Sequence, residues 1–174
     1  PPQIQAQAGE ARLLFETVNS ACLPLLGAYL APFEGNARHG LLSLASSCIA
    51  ACCICEGDVH GHLHLGKRIW DRWPELHAHM TQFHGHAPGN HCYDIAAALP
   101  LLEACGRVAT DAYGNSLDEL RLDDVSSSFS YVAATDQHLL VSILRKIEAQ
   151  ELHLRQNVEC VLKVASYVAG GTDQ

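Results

Sequence analysis

The sequence predicts an all-α fold, a bundle of five or six helices organised around a long C-terminal amphipathic helix at about 135–169. Three observations support this prediction. Apolar residues recur at steps of three and four along most of the chain, which is the spacing of a helix with one buried face. No segment of useful length alternates apolar and polar residues as a half-buried strand does. In addition, neither proline nor glycine interrupts residues 135–169.

The C-terminal helix has clear signals at both ends. Thr135 is a suitable N-cap, Asp136 places a negative charge in the first turn, and Gly170-Gly171 ends the helix. A helix of this length would extend roughly 50 Å. It therefore needs other helices, or a second copy of the chain, to cover its apolar stripe, and we expect a homodimer. The stripe consists of Leu140, Ile143, Ile147, Leu154, Val158, Val161, Ala165 and Val168.

A polar position interrupts this stripe between Ile147 and Leu154. The helical spacing passes through Gln150 or Glu151. We expect Glu151 to be solvated and to pair with Arg155 one turn later. The alternative is a polar residue in the seam that fixes the register of packing.

The N-terminal half is expected to contribute two helices. Residues 1–9 have no pattern and are predicted to be frayed or disordered, so that 10–171 form a single helical-bundle domain. The first helix begins near Glu10 and is kinked by Pro24. The second runs from near Leu41 to Trp73. Its glycines weaken it, so it forms either one long bent helix, which we favour, or two helices broken near Glu56-Gly57-Asp58. Those glycines are Gly57, Gly61 and Gly66.

The remaining predicted elements are shorter. Pro74 opens a third helix that ends near His84. The following segment to His91 is a loop by composition, and a helix then runs from about His91 to Tyr113, bent at Pro100. Residues 116–128 form a polar connector to the C-terminal helix.

Composition limits the classes of function. The chain has 174 residues, and 48% of them are hydrophobic, which is enough for one compact core. Its net charge of −8 argues against nucleic acid as a partner. No apolar run is long enough for a membrane span.

Eight cysteines are present, and four of them crowd into 48–55. This crowding is poor geometry for mutual disulfides, so we expect reduced thiols and an intracellular protein, cytoplasmic or nuclear. The spacing Cys48-x-x-x-Cys52-x-x-Cys55 also occurs in iron–sulfur sites. Here it coincides with the helical period, and we interpret these cysteines as small core residues.

Histidines are the most unusual feature. There are 11, and eight of them lie between residues 60 and 91. If this segment is helical, His60 and His64 share a face one turn apart and Glu56 extends that face, which suits a divalent transition metal such as zinc. The alternative is that these imidazoles are exposed to solvent and bind no metal. The candidate ligands are His60, His64, His77, His84, His86 and His91.

The sequence therefore favours a non-enzymatic interaction or regulatory domain that self-associates or binds a protein partner. No nucleophile elbow, glycine-rich phosphate loop or His-Glu-x-x-His motif is present. The first alternative is a histidine-rich metal-binding protein or metalloenzyme with its site in residues 56–91. A third possibility is a helical pocket for haem or a small apolar ligand.

Overall fold

The protein is a layered α/β structure, not an all-α bundle. The computed structural model describes residues 11–16, 23–33, 46–78, 89–121, 123–124, 126–159 and 163. Within these residues, the strands are β1 (Leu13–Glu16), β2 (Gly61–His64), β3 (Val108–Asp111) and β4 (Tyr131–Ala134). The helices are α1 (Leu23–Leu30), α2 (Ser47–Glu56), α3 (Gly66–Arg72), α4 (Cys92–Ile95), α5 (Ala98–Ala104) and α6 (Gln137–Gln156). Short 3₁₀ turns lie at Ala31–Phe33 and Pro74–Leu76.

The four strands form one mixed sheet in the order β1-β2-β4-β3. β1 is parallel to β2, while β4 runs antiparallel to both β2 and β3. The register places Glu16, His64, Tyr131 and Asp111 side by side across the sheet. The carboxyl ends of β1, β2 and β3 therefore share one edge with the start of β4.

Helices cover both faces of this sheet, and each face has its own apolar core. On the first face, α1, α3 and α6 pack against Leu13, Phe15, Leu63 and Val132. On the second face, α2, α4 and α5 pack against Tyr131 and Ala133. Consecutive residues of β4 thus point into different cores, as the alternation of side chains along a strand requires.

Local signals explain where α2 ends and β2 begins. The Ser46 side chain accepts a hydrogen bond from the Ile49 backbone N–H at 3.3 Å and caps the helix. Gly57 ends the helix in the left-handed conformation at φ 85°. Gly61 then opens β2, where an added Cβ would lie 3.1 Å from the Ala133 carbonyl oxygen. The predicted long bent helix is therefore wrong, because the chain turns into a strand after Gly57.

The other strands also fall within segments whose spacing predicts helix or connector. β1 lies in the predicted first helix, β3 in the predicted helix 91–113, and β4 after the polar connector. Each strand has only four residues, and all four residues of β2 and of β4 are buried. The residues of β4 do not alternate apolar and polar types, so its pattern resembles that of a buried helix. In β2, His62 and His64 do alternate with Gly61 and Leu63, but only over four residues.

The C-terminal helix is interrupted at Asn157, and Val158, Glu159 and Lys163 are again helical. α6 begins after Asp136, whose side chain accepts a hydrogen bond from the Leu139 backbone N–H at 2.9 Å, and it ends at Gln156. Leu140, Ile143, Ile147 and Leu154 are buried, as expected. Residues 164–174 lie outside the described part of the chain, and so does the predicted disordered segment 1–9.

Glu151 is buried, contrary to the expectation that it is solvated. Its carboxylate pairs with Arg68, which is also buried, and with the Arg72 Nε at 3.2 Å. Arg155 instead pairs with Glu75 at 3.1 Å. The polar interruption in the apolar stripe thus joins α6 to α3 through a buried ion pair.

No helix in the described residues is both long enough and apolar enough to cross a lipid bilayer.

Candidate functional site

A cluster of polar side chains lies on the second face of the sheet, at the edge where β1, β2 and β3 end. Parallel strands place ligand sites at this edge in other layered α/β proteins, because the connecting loops diverge there. We call this group the polar cluster. Its members are Glu16, Ser47, His62, His64, Asn90, Asp94 and Tyr131.

Hydrogen bonds connect five members of the polar cluster. The Asn90 Nδ2 donates to the Ser47 Oγ at 2.7 Å, and this hydroxyl donates to the Glu16 Oε2 at 3.2 Å. The His62 Nε2 lies 3.5 Å from the same carboxylate oxygen. On its other side, the His62 Nδ1 lies 2.6 Å from the Tyr131 hydroxyl. One set of proton positions satisfies all these contacts: Tyr131 donates to Nδ1, and Nε2–H points to Glu16.

Burial sets the charge of the two imidazoles. It lowers the pKa of His62 to about 3 and that of His64 to about 4, because the charged form loses its hydration. His62 is therefore neutral at physiological pH, so its 3.5 Å contact with Glu16 is not an ion pair. Burial also raises the pKa of Glu16, and the nearby Asp94 charge adds to this effect.

His64 is fully buried and its ring stacks on Tyr131, with 6.2 Å between the ring centroids. Among the described residues, neither of its ring nitrogens has a hydrogen-bond partner. A buried unpaired polar group costs about 1–3 kcal/mol. Such a cost at the centre of the polar cluster is typical of a position kept for a function.

Asp94 is the member of the polar cluster that lies in the first turn of α4. Its Oδ2 accepts a hydrogen bond from the His91 backbone N–H at 2.9 Å, and its backbone carbonyl accepts one from the Cys48 thiol at 3.3 Å. Its charge raises the pKa values of Glu16 and Tyr131. No cation pairs with this half-buried carboxylate among the described residues. Asp94 thus has free lone pairs for a ligand.

Asn90 holds the start of α4 in place. Its backbone exchanges two hydrogen bonds with Phe129, at 2.9 and 2.8 Å, and its buried side chain bonds Ser47. This position precedes Asp94 by one turn. The polar cluster therefore fixes the backbone that carries the Asp94 carboxylate.

The structure separates the histidines that the sequence groups as ligands. His60 precedes β2 at the opposite edge of the sheet from His64, and its Nδ1 accepts a hydrogen bond from the Arg12 backbone N–H at 2.9 Å. Because residues 61–64 are a strand, His60 and His64 do not share a helical face. His84 and His86 lie outside the described residues.

The other two predicted ligands have local contacts. His77 stacks on Trp70 with ring centroids 3.8 Å apart, and its Nε2 lies 2.8 Å from the Trp70 carbonyl oxygen. His91 stacks on Tyr93, and its Nδ1 lies 3.1 Å from the Ser127 carbonyl oxygen. In the described parts of the chain, no three His, Cys, Asp or Glu side chains are arranged to hold a metal ion.

Sequence reasoning missed most of the polar cluster. Glu16, Ser47, Asn90 and Tyr131 belong to different elements and share no motif or spacing. Asp94 carried one signal, since an acidic residue three positions after His91 matches a helix capping box. His62 would lie off the face that His60 and His64 share in a helix, but in the strand it lies on the same face as His64.

The fold and the polar cluster together define a layered α/β domain with a carboxylate at the edge of the sheet where β1, β2 and β3 end. No protein-family model matches the sequence, and no curated protein matches it. Solved structures do match. Inositol monophosphatase II of Staphylococcus aureus aligns with a TM-score of 0.57 and 14% identity, over 88% of this chain and 46% of that protein.

Two further structures agree. A hypothetical protein of Pyrococcus horikoshii with similarities to inositol-1 monophosphatase aligns with a TM-score of 0.54 and 15% identity, over 82% of this chain and 44% of that one. Inositol monophosphatase from Anabaena aligns with a TM-score of 0.54 and 12% identity, over 81% and 44%. The chain thus has the fold of a part of these proteins and spans less than half of their length.

These comparisons overturn two predictions. The all-α bundle is wrong, since the shared fold is a mixed sheet with helices on both faces. The non-enzymatic interaction domain is contradicted as well, because the solved structures of this fold include inositol monophosphatases. The alternative of a metalloenzyme agrees better with this finding.

Proposed function

We propose that this chain forms part of an enzyme that hydrolyses phosphate monoesters of a polyol such as inositol. The observation that carries the proposal is the shared fold, which extends over 79–88% of the chain in alignments with TM-scores of 0.52–0.57. The polar cluster supports it, because buried polar groups converge at the sheet edge where such folds bind ligands.

Asp94 is the residue that we assign to the reaction. A phosphate ester is anionic, so hydrolysis needs positive charge near its oxygens, and a divalent cation such as Mg²⁺ supplies it. Mg²⁺ prefers oxygen ligands and is commonly held by one or two carboxylates together with substrate phosphate. The half-buried Asp94 carboxylate has no cation partner among the described residues, and it fits that role although its Oδ2 accepts a hydrogen bond from His91.

The described residues fit one part of such a metal site. They contribute the Asp94 carboxylate, and they contain no set of three side chains arranged around one ion. Further ligands would have to come from substrate, water or protein outside the described residues. The oxygen donor of Asp94 favours Mg²⁺ over the zinc that the histidine-rich segment suggests.

The rest of the polar cluster acts as support. Asn90, held by Ser47 and Phe129, fixes the turn before Asp94. The Ser47 hydroxyl donates to the half-buried Glu16 carboxylate, and neutral His62, which contacts the Tyr131 hydroxyl, lies beside it without adding a positive charge. The net effect is that the Asp94 carboxylate keeps its orientation and remains available to a cation.

Release of inorganic phosphate from inositol 1-phosphate, measured with and without Mg²⁺, tests the proposal. The sample is the purified protein that carries this chain at its full natural length. We expect Mg²⁺-dependent hydrolysis and a loss of about 100-fold or more in kcat/KM for Asp94→Asn. The matched control is Asp118→Asn, an exposed carboxylate that should leave the rate unchanged.

Three results would contradict the proposal. The first is an absence of hydrolysis of inositol 1-phosphate and of other polyol monophosphates in the presence of Mg²⁺. The second is full activity of Asp94→Asn, which would remove Asp94 from the site while leaving the reaction class intact. The third is equal activity with and without chelator, which would exclude the divalent cation.

A further inference from the structure

Helices α2 and α5 lie side by side on the second face of the sheet, and cysteines occur where their last turns meet. The Cys55 Sγ donates to the Leu101 carbonyl oxygen at 3.7 Å. The same carbonyl accepts a hydrogen bond from the Cys105 backbone N–H at 3.1 Å. The Cys55 sulfur thus lies against the end of α5, at the same Leu101 carbonyl oxygen that binds the backbone of Cys105.

The two thiols differ in exposure. Cys105 is exposed and follows the last residue of α5, while Cys55 is half-buried in the last turn of α2. Burial raises the pKa of Cys55 to about 11, although the nearby Arg107 charge opposes this effect. Cys55 is therefore a protonated thiol at neutral pH, and Cys105 is the thiol that a soluble oxidant reaches first.

We propose that Cys55 and Cys105 form a reversible disulfide when the protein meets a hydroperoxide. In the first step, the Cys105 thiolate attacks a peroxide oxygen, the O–O bond breaks, and a sulfenic acid and hydroxide form. In the second step, the Cys55 sulfur attacks the sulfenic sulfur, the S–O bond breaks, and the Cys55 proton leaves with the hydroxyl group as water. Overall, two thiols are oxidised by two electrons and one hydrogen peroxide becomes two waters.

Neighbouring thiols are less well placed for this bond. Cys52 is exposed on the same helix and is the main competitor, since it lies one turn before Cys55. Cys48 donates to the Asp94 carbonyl oxygen on α4, and Cys92 is buried. The contact at Leu101 favours Cys55 over these alternatives.

The disulfide would close a loop from residue 55 to residue 105, which includes β2, α3 and α4. A cross-link of this length restricts the unfolded chain and stabilises the folded one. We expect the melting temperature of the oxidised protein to rise by about 10 °C relative to the reduced protein. Dithiothreitol should reverse the shift.

Peptide mapping tests the pairing directly. The full chain is treated with a small excess of hydrogen peroxide, free thiols are blocked with N-ethylmaleimide, and non-reduced peptides are analysed by mass spectrometry. We expect one cross-linked peptide pair, Cys55 to Cys105. Mapping wild-type protein needs no variant to fold, and it also identifies any bond made by Cys22 or Cys160.

Cysteine variants then distinguish a Cys55–Cys105 disulfide from oxidation of other cysteines. Cys55→Ser and Cys105→Ser should each abolish the rise in melting temperature, while Cys52→Ser should retain it. A Cys52–Cys105 bond, a bond between two molecules, or irreversible oxidation of Cys105 without a disulfide would overturn the proposal. These outcomes do not depend on phosphatase activity.

Discussion

His62 and His64 are neutral inside the folded protein at physiological pH, and for this reason the folded protein loses stability in acid. Their ordinary pKa is 6.5, and in the folded state it falls to about 3 and about 4. At a pH between the ordinary value and the lowered value of each histidine, the unfolded chain binds a proton at that histidine and the folded chain does not. The free energy of unfolding is therefore highest above about pH 6.5 and falls as the pH drops towards 4.

The first prediction concerns this pH dependence. Each histidine should contribute a slope of about 1.4 kcal/mol per pH unit in the window from about 6.5 to 4. Glu16 works in the opposite direction, because its raised pKa lets the folded state bind a proton first, and it offsets part of the loss. Urea unfolding at a series of pH values measures the slope.

Two variants check the origin of this slope. His64→Leu should remove the contribution of one histidine and should retain or increase stability at pH 7, because it replaces a buried group without a described partner. His153→Gln is the matched control, since His153 is exposed. An unchanged slope in His64→Leu would show that other groups cause the acid sensitivity.

The second prediction concerns the close packing at Gly61. In Gly61→Ala the new methyl would lie 3.0 Å from the Leu13 Cδ2, 3.1 Å from the Ala133 carbonyl oxygen and 3.2 Å from the Ile143 Cδ1. Since the carbonyl belongs to the backbone of β4, the strands must shift. We expect a loss of about 1–3 kcal/mol in the free energy of unfolding.

Gly27→Ala provides the matched control for Gly61→Ala. Gly27 is in helix α1, and nothing lies within 4 Å of an added Cβ. Alanine favours helix over glycine, so this variant should be neutral or more stable by up to about 1 kcal/mol. Equal effects of the two substitutions in thermal or urea unfolding would contradict the packing argument.

At the scale of single elements, the buried ion pair of α6 gives the third prediction. Glu151→Ala removes the carboxylate that pairs with Arg68, whose side chain is only 4% exposed. An unpaired buried charge is costly, so we expect a loss of about 3–5 kcal/mol. Glu148→Ala, on an exposed position of the same helix, should change stability by less than about 0.5 kcal/mol.

A small effect of Glu151→Ala would show that Arg68 finds another partner. The Arg68 guanidinium also donates to the Ala112 carbonyl oxygen and lies 4.8 Å from the centre of the Tyr113 ring. The double variant Glu151→Ala/Arg68→Met should recover part of the lost stability, because it removes the uncompensated charge.

The sequence predicted the helices better than the strands. Leu140, Ile143 and Ile147 form the buried face of α6, as their spacing indicates, and the predicted first turn is within two residues of the observed one. The strand β2 was not predicted in this way, because its flanks continue a helical spacing by coincidence. Its histidines do alternate with Gly61 and Leu63, but the strand has only four residues, which is the lower limit of the strand signal.

The candidate site was less predictable than the fold. Its parts lie at Glu16, Ser47, His62, Asn90 and Tyr131, and they meet only because the sheet brings distant strands together. The high number of histidines draws attention to the segment that contains His62 and His64, but it does not indicate which distant residues contact them. The prediction of six metal-binding histidines therefore had no means of including Asp94.

At the scale of the whole molecule, β4 joins the two apolar cores. Val132 belongs to the core with α1, α3 and α6, and Ala133 belongs to the core with α2, α4 and α5. The cores should therefore unfold together. The fourth prediction is that Leu102→Ala, in the second core, lowers the free energy of unfolding by about 2–5 kcal/mol and shifts every probe equally.

Tryptophan fluorescence and far-UV circular dichroism measure this coupling. Trp70 and Trp73 both pack in the first core, so their fluorescence reports on the face that Leu102 does not touch. Coincident urea transitions in wild type and in Leu102→Ala are expected. A fluorescence transition that stays in place while the dichroism shifts would show that the two faces are independent.

The order of strands in the sheet also determines how slowly the protein can assemble. Strand β2 has two neighbours, and neither is near it in sequence: Leu13 pairs with Gly61, and Gly61 pairs with Ala134. Closing such large loops costs entropy before any contact is gained. Domains with contacts of this range fold in milliseconds to seconds rather than microseconds. On the ribosome, β1 is already available when β2 emerges, but β2 lacks its second neighbour until β4 has been synthesised.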